Sequence, residues 1–354
     1  MIINQWLPAA HRGDAVGDNA RVMRNLFRSW GHTSEIYALT IDSSLESEIL
    51  PWRDAGSRLG DMTILHFAVP SPMTQAFMRL AGVRVLHYHN VTPAHFFAGY
   101  DAGICRMAAD GRRELAMLAD YTDIALGVSD YNRQELLDVG FEDTDVLPIV
   151  VDTARLRNAR PVPALESSLQ DGLTNILFVG RIAPNKKIED HIRLAEQYKR
   201  YVDIYYRFIF VGNYNAVPSY YATVRALIAE YKMLPDRFWF TGPVPEEELA
   251  AYYRNAHAYV SLSEHEGFCV PLVEAMAMDV PVLAYGAAAI PETLGGAGVC
   301  FAPKDLELAA EWLGALIYDE PLRQQVIAGQ RRRLADFSLD ALEPRLKSLL
   351  AAVA

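Results

Sequence analysis

Ser263-Glu264-His265-Glu266-Gly267-Phe268-Cys269-Val270-Pro271-Leu272-Val273-Glu274-Ala275-Met276-Ala277 is the stretch on which the reading of this chain turns. Ahead of it, Ala258-Tyr259-Val260-Ser261-Leu262 is rich in β-branched and aromatic residues and reads as a buried strand of a parallel sheet. Behind it, Pro271 to Met278 reads as an apolar helix with its proline near the first turn. The backbone N–H groups of Gly267, Phe268 and Cys269 then fall at or just before a helix N-terminus, where unpaired amides and the helix dipole suit an anion such as a diphosphate. Glu266 stands on the turn and Glu274 about one helical turn into the helix, so the two carboxylates address different parts of one ligand rather than forming a close acid/base dyad. Taken alone, the pair could be two surface charges.

Working outward, short apolar runs recur on both sides. In the second half they are Asn175 to Gly180, Phe208 to Gly212, Phe238 to Gly242, Ala258 to Leu262, Val280 to Tyr285 and Gly298 to Phe301. In the first half they are Met1 to Leu7, Glu35 to Thr40, Met62 to Ala68, Arg84 to His89, Ile124 to Ser129 and Val146 to Val151. Helical patterns separate them, which implies right-handed βαβ units and parallel sheets with ligands at the carboxyl ends of the strands. From Asp152 to Asn175 the periodicity fades, and Pro161, Pro163 and Gly172 mark a connection between two domains. Past the first strand of the second domain comes Gly180-Arg181-Ile182-Ala183-Pro184-Asn185-Lys186-Lys187, in which Arg181 and Lys186 can both reach a ligand at the sheet's carboxyl edge; no lysine precedes Lys186.

The Glu266-to-Glu274 spacing, the Glu-Gly-Phe step and the Pro-Leu-Val-Glu-Ala-Met that follows resemble the Glu-x7-Glu signature of retaining GT-B glycosyltransferases. The chain resembles glycosyltransferase family 4 over nearly its whole length. That resemblance implies an α/β fold of two Rossmann-like domains facing one another across a cleft. The boundaries are 1–152 on the acceptor side, with a terminal helix of about 338–354 packing back on it, and 153–337 for the nucleotide sugar. It places Glu266 by the donor sugar, Glu274 on the ribose hydroxyls, and Arg181 and Lys186 on the donor diphosphate. His89, at the end of its strand, falls close to the donor sugar. The backbones at Gly212 and Thr241 to Pro245, Val244 among them, line the base pocket, and the loop His11 to Asn19, with Gly17, lies between donor and acceptor. Asn90, Thr92 and His95 face the acceptor. The family's chemistry is metal-independent transfer from a UDP- or GDP-linked sugar to a glycan or lipid-linked acceptor, by same-face substitution in which the leaving phosphate takes the acceptor proton. Two departures stand out: Ile149-Val150 where many relatives carry Asn-Gly, and Lys187 where they carry glycine.

Several features read more plainly. Asp18 or Asn19 could cap the first helix, and Arg21, Arg24 and Arg28 share a face of it. They form a solvated face, the alternative being contact with anionic lipid. His87 and His89 share a side of their strand, but no third metal ligand with fitting spacing is evident, so no metal is expected. Asp143-Thr144-Asp145 reads as a solvated loop.

The 354 residues fit two domains, and a formal net charge of -11 argues against a general nucleic-acid binder. Three scattered cysteines suggest neither a disulfide framework nor a zinc site, and with no signal peptide or spanning segment the expected place is the cytoplasm, or the inner membrane face if the acceptor is lipid-linked. Two rivals remain open: a sugar-nucleotide epimerase of the same fold, and a non-catalytic sugar-nucleotide-binding subunit.

Overall fold

The computed structural model describes residues 1–11, 13–57 and 60–353; Arg12, within the expected first loop, and Ala354, within the expected terminal helix of about 338–354, lie outside them. The chain forms two compact units, Met1–His95 with Ala102–Val151 and Phe337–Ala354, and Phe96–Asp101 with Asp152–Asp336.

In the first unit the strands are β1 (Ile2–Ala10), β2 (Thr33–Ile41), β3 (Leu50–Pro51), β4 (Met62–Phe67), β5 (Val83–Tyr88), β6 (Ile124–Gly127) and β7 (Thr144–Val146). They pair in parallel in the order β3-β2-β1-β4-β5-β6-β7. Two residues with a proline carry no alternation, so β3 leaves no trace in the sequence pattern. The run Val146 to Val151 is a strand only at its first residue. Beyond it, a backbone bond remains from the Leu147 amide to the Gly127 carbonyl at 2.9 Å, while the Leu147 carbonyl accepts from His87 Nε2 at 2.9 Å and the Val150 amide donates to Asn19 Oδ1 at 3.2 Å, so side chains take over from the ladder. Asp143 to Asp145 is therefore not a loop but the entry to edge strand β7, with Asp143 and Asp145 exposed.

The first helix, Ala15–Ser29, is capped by Asp14, whose carboxylate accepts from the Gly17 amide at 3.2 Å. Asp18 and Asn19 lie inside the helix and are not its cap. Its arginines form a solvated face only in part: Arg28 is exposed and Arg21 half-buried, but Arg24 is buried. Arg24 is 6% exposed and donates to the Glu48 carbonyl at 2.6 Å, Arg21 pairs with Asp18, and Arg28 pairs with Glu35 at 2.9 Å. The final helix, Leu339–Ala352, lays Leu342, Leu346, Leu349 and Leu350 in the same apolar cluster as Ile3, Met23 and Val85.

The second unit holds β8 (Thr174–Val179), β9 (Tyr206–Val211), β10 (Phe238–Gly242), β11 (Ala258–Ser261), β12 (Val282–Tyr285) and β13 (Val299–Phe301), in the parallel order β10-β9-β8-β11-β12-β13. Every residue of β9 is buried, which is why these strands read as unbroken apolar runs: helices cover both faces of the sheet. The expected connection from Asp152 to Asn175 is not irregular throughout. It contains the helices Thr153–Arg157, capped by Asp152, and Pro163–Leu169, which starts on its proline.

Strand order reverses between β8 and β11, since β8 is flanked by β9 on one side and β11 on the other. Such a reversal splays adjacent loops at the carboxyl edge and opens a crevice there. The loops it brings together are the one after β8, with Arg181 to Lys187, and the one after β11, with Ser263 to Cys269. No helix among the described residues is long and apolar enough to cross a membrane.

Candidate active site

The two loops are laced by backbone. The Glu264 amide donates to the Asn185 carbonyl at 2.9 Å, and Asn185 Nδ2 to the His265 carbonyl at 3.0 Å. This fixes Lys186 over Glu266, with its ammonium 2.6 Å from each carboxylate oxygen. Both side chains are largely buried, at 16% and 10% exposure, so their attraction is screened much less than that of a surface pair. Lys187 does something else. It stands in the left-handed region at φ 52°, the conformation that favours glycine, and its ammonium turns to Glu189 and Glu264, both at 3.4 Å. Burial works against the Lys187 charge, but Glu189 and Glu264 outweigh it and raise the pKa. The two adjacent lysines are thus separated by backbone conformation. Arg181, just past β8, is exposed.

Beyond Glu266 the chain turns sharply at Cys269 (φ 71°), which starts the helix Val270–Ala277. Holding a non-glycine residue there costs of order 1–3 kcal/mol, which the neighbours offset. The Ala289 amide donates to the Glu266 carbonyl at 3.3 Å, Thr293 Oγ1 to the Phe268 carbonyl at 2.5 Å, and Phe268 is buried. The segment around Ala288 to Thr293 therefore buttresses the Gly267-Phe268-Cys269 turn. Burial, reinforced by the Glu266 charge, pushes the Cys269 thiol well up and keeps it protonated.

Glu274 is one turn on, 4% exposed. Its carboxylate accepts from Arg155 Nη2 at 2.9 Å and from Tyr253 Oη at 3.0 Å. Arg155 also reaches Glu246 at 3.1 Å, and Arg157 Nε donates to the Ala277 carbonyl at 2.8 Å, satisfying the C-terminal end of the helix. Burial and then the Glu274 charge raise the Tyr253 phenol far above its ordinary range, so it acts as a donor. Glu266 and Glu274 thus have separate partners, as their spacing suggests.

At the other strand ends, Gly212 is dictated by packing. A Cβ there would lie 2.2 Å from the Gly180 carbonyl oxygen, and its φ is 138°. Val244 packs partly buried against the cluster that contains Tyr253, Cys269 and Leu272.

In the first unit, Gly17 is buried in the opening turn of the first helix. His95 is exposed, and Asn90, at φ 78°, donates to Asn132 Oδ1 at 2.9 Å. His89 has a partner that the sequence pattern did not reveal. His66 on β4 lies beside it, Nδ1 to Nε2 at 2.9 Å, and with His87 the three rings bring one nitrogen each within 4.8 Å of one another. The absence of a third nitrogen inferred from spacing is thereby corrected. His66 sits on the neighbouring strand in register with His87, where no local motif can show it.

Residues 166–333 match the family model for glycosyl transferases, group 1. Among curated proteins, the O-antigen chain mannosyltransferase B of Escherichia coli is 24% identical over 224 residues, covering 62% of this chain and 58% of that protein. The D-inositol 3-phosphate glycosyltransferase of Frankia alni is 27% identical over 301 residues, covering 81% and 74%. The chain therefore spans less than two thirds of the length of the first of these relatives. Among solved structures, HepE of Anabaena in complex with UDP-glucose superposes with a TM-score of 0.77 over 99% of this chain and 100% of that one, at 15% identity. The fold is GT-B: two parallel-sheet α/β domains of seven and six strands.

The matched segment contains Arg181, Lys186, Gly212, Val244, Glu266, Gly267, Phe268, Cys269 and Glu274; Gly17 and His89 lie outside it. Arg155 and Tyr253, which hold Glu274, were not legible as site residues. The one local hint at Arg155 was the helix-capping Asp152 three residues before it.

Proposed function

We propose that the chain is a retaining, metal-independent glycosyltransferase. It moves a hexosyl unit from a UDP- or GDP-linked sugar to a hydroxyl of a glycan or lipid-linked acceptor, on the cytoplasmic side, in bacterial polysaccharide assembly. The observation that carries this reading is the Lys186–Glu266 pair at the carboxyl edge of the second sheet, beside the turn into the helix that bears Glu274. The O-antigen mannosyltransferase and the UDP-glucose-bound neighbour support the substrate class.

The chemistry assigned to each group follows from its surroundings. Transfer breaks the bond from the sugar's anomeric carbon to the phosphate oxygen and forms one to the acceptor oxygen, whose proton passes to the leaving phosphate. A diphosphate leaving group needs positive charge, and Arg181 and Lys186 supply two cations against the single carboxylate of Glu266. Because Glu266 is neutralised by Lys186, it can lie by the sugar without repelling the phosphates. Both of its oxygens are taken up by the ammonium, which makes it a poor nucleophile and favours same-face substitution over a covalent glycosyl-enzyme. Glu274, held by Arg155 and Tyr253, is the proposed acceptor for the ribose hydroxyls. The amides of Gly267 to Cys269 and the helix behind them add the dipole.

The test is calorimetric titration of the full chain with UDP, GDP and their hexose conjugates, with and without a divalent-metal chelator. One base class should bind with chelator-insensitive affinity, and Lys186→Ala should weaken it. No binding of any nucleotide overturns the proposal, and donor consumption without an acceptor, with the sugar epimerised, identifies an epimerase instead.

A further inference from the structure

We propose that Gln5 and His66 are positioning residues that fix His89 in its Nε2–H tautomer, so that towards a ligand His89 can accept a hydrogen bond but cannot donate a proton. This rests on the reading of His89 as a residue near the donor sugar.

The assignment follows from counting donors. Gln5 Nε2 donates to the Ala20 carbonyl at 3.0 Å, which orients the amide so that Oε1 faces His66 Nε2 at 2.9 Å. An amide oxygen only accepts, so the proton of His66 is on Nε2 and its Nδ1 is a bare lone pair. That lone pair lies 2.9 Å from His89 Nε2, which must therefore carry the His89 proton. His89 Nδ1 is left unprotonated, covered and without a donor. His87 is fixed independently: its Nε2 donates to the Leu147 carbonyl at 2.9 Å, so its Nδ1 is bare as well. Burial lowers the pKa of all three rings, and the chain of bonds stays uncharged.

The consequence is chemical. Gln5 and His66 lie on β1 and β4, the neighbouring strands at which the order of the first sheet reverses, and His89 directly follows β5 at the carboxyl edge where ligands gather in such sheets. A neutral nitrogen acceptor there suits a sugar hydroxyl. It cannot serve as the acid that protonates a leaving group. Nδ1 is covered, so a hydroxyl gains it only through a shift of the ring or of its surroundings.

The experiment uses the full chain with 15N-labelled histidine. Long-range proton–nitrogen spectra tell protonated from bare ring nitrogens, and His89→Ala assigns the signals. The expected result is His89 with a protonated Nε2 and bare Nδ1, a mixture of tautomers in His66→Leu, and restoration in His66→Asn, whose oxygen replaces the lost acceptor. In turnover with UDP-glucose and GDP-mannose, His66→Leu should raise the donor KM about tenfold, the worth of one hydrogen bond, with kcat little changed. Gln5→Leu, a second route should His66→Leu not fold, should release the His66 tautomer. A wild-type His89 protonated on Nδ1, or a tautomer indifferent to both His66 and Gln5, overturns the proposal. So does one divalent ion per chain that is lost in His87→Ala, since a metal on His66 Nδ1 would occupy the lone pair that accepts from His89. If His89→Ala leaves turnover untouched while the tautomers behave as stated, the relay stands and the donor-side reading of His89 falls.

Discussion

Replacing Glu274 by glutamine separates its structural part from its binding part. The carboxylate accepts from two donors, Arg155 at 2.9 Å and Tyr253 at 3.0 Å, and is itself 4% exposed. An amide of the same shape offers one accepting oxygen and one donating nitrogen, so Arg155 keeps a neutral acceptor and the Tyr253 hydroxyl turns to accept the amide N–H while donating to the Pro271 carbonyl at 3.4 Å. Exchanging a charged acceptor for a neutral one in two bonds costs about 1–3 kcal/mol. The upper end is discounted because Arg155 is a quarter exposed and keeps Glu246 at 3.1 Å. The expected loss is about 2 kcal/mol, or roughly 4–8 °C in Tm for a unit of this size. If the carboxylate also accepts from ribose hydroxyls, nucleotide affinity falls by a further 1.5–3 kcal/mol, roughly 10- to 100-fold in Kd. Circular dichroism melting and calorimetric titration with UDP and GDP read the two parts separately. A melting temperature within a degree of wild type refutes the packing argument, and a Kd within twofold refutes the ribose assignment.

Lys186→Ala leaves the largely buried Glu266 carboxylate without its cation next to the proposed phosphate site, so turnover should fall about 100-fold or more, with diphosphates losing more affinity than the matching nucleoside; equal losses for both would refute a phosphate role. Gly212→Ala, with its Cβ 2.2 Å from the Gly180 oxygen, should cost at least about 3 kcal/mol by urea unfolding, and a wild-type midpoint would show that the close approach is not required. Acid should also weaken the fold. His87 and His191 are buried with pKa values of about 4, below the ordinary 6.5. The unfolded chain then binds more protons between pH 6.5 and 4, and the stability these two groups contribute is complete above pH 6.5 and lost as the pH falls to about 4. Each group accounts for roughly 1.4 kcal/mol per pH unit within that window. Urea midpoints at pH 7, 6 and 5 check it, and a flat profile would mean that the rings are hydrated.

The alternation of the longer strands with helices, the parallel sheets and the positions of Glu266 and Glu274 were legible because they rest on local signals. These are buried strands that read as apolar runs, a glycine-containing turn, and a proline at a helix start. Local signals also misled. The apolar run Leu147 to Val151 has strand composition, yet its Leu147 carbonyl and Val150 amide are taken by His87 and Asn19, and Arg24 of the first helix is buried against Glu48 while Arg21 and Arg28 pair with Asp18 and Glu35 nearer the surface.

What the sequence by itself determined is which residues lie at the carboxyl ends of which strands. Which of them meet was decided only by the tertiary structure. Lys186 rather than Lys187 faces Glu266 because Lys187 adopts a left-handed backbone, and it can do so across eighty residues because β8 and β11 are neighbours where the strand order reverses. Arg155 reaches Glu274 from a segment that looks like a linker, and His66 meets His89 from the next strand. A hydrogen bond between distant segments depends on sheet order and backbone conformation together, and neither is written in the spacing of either segment alone.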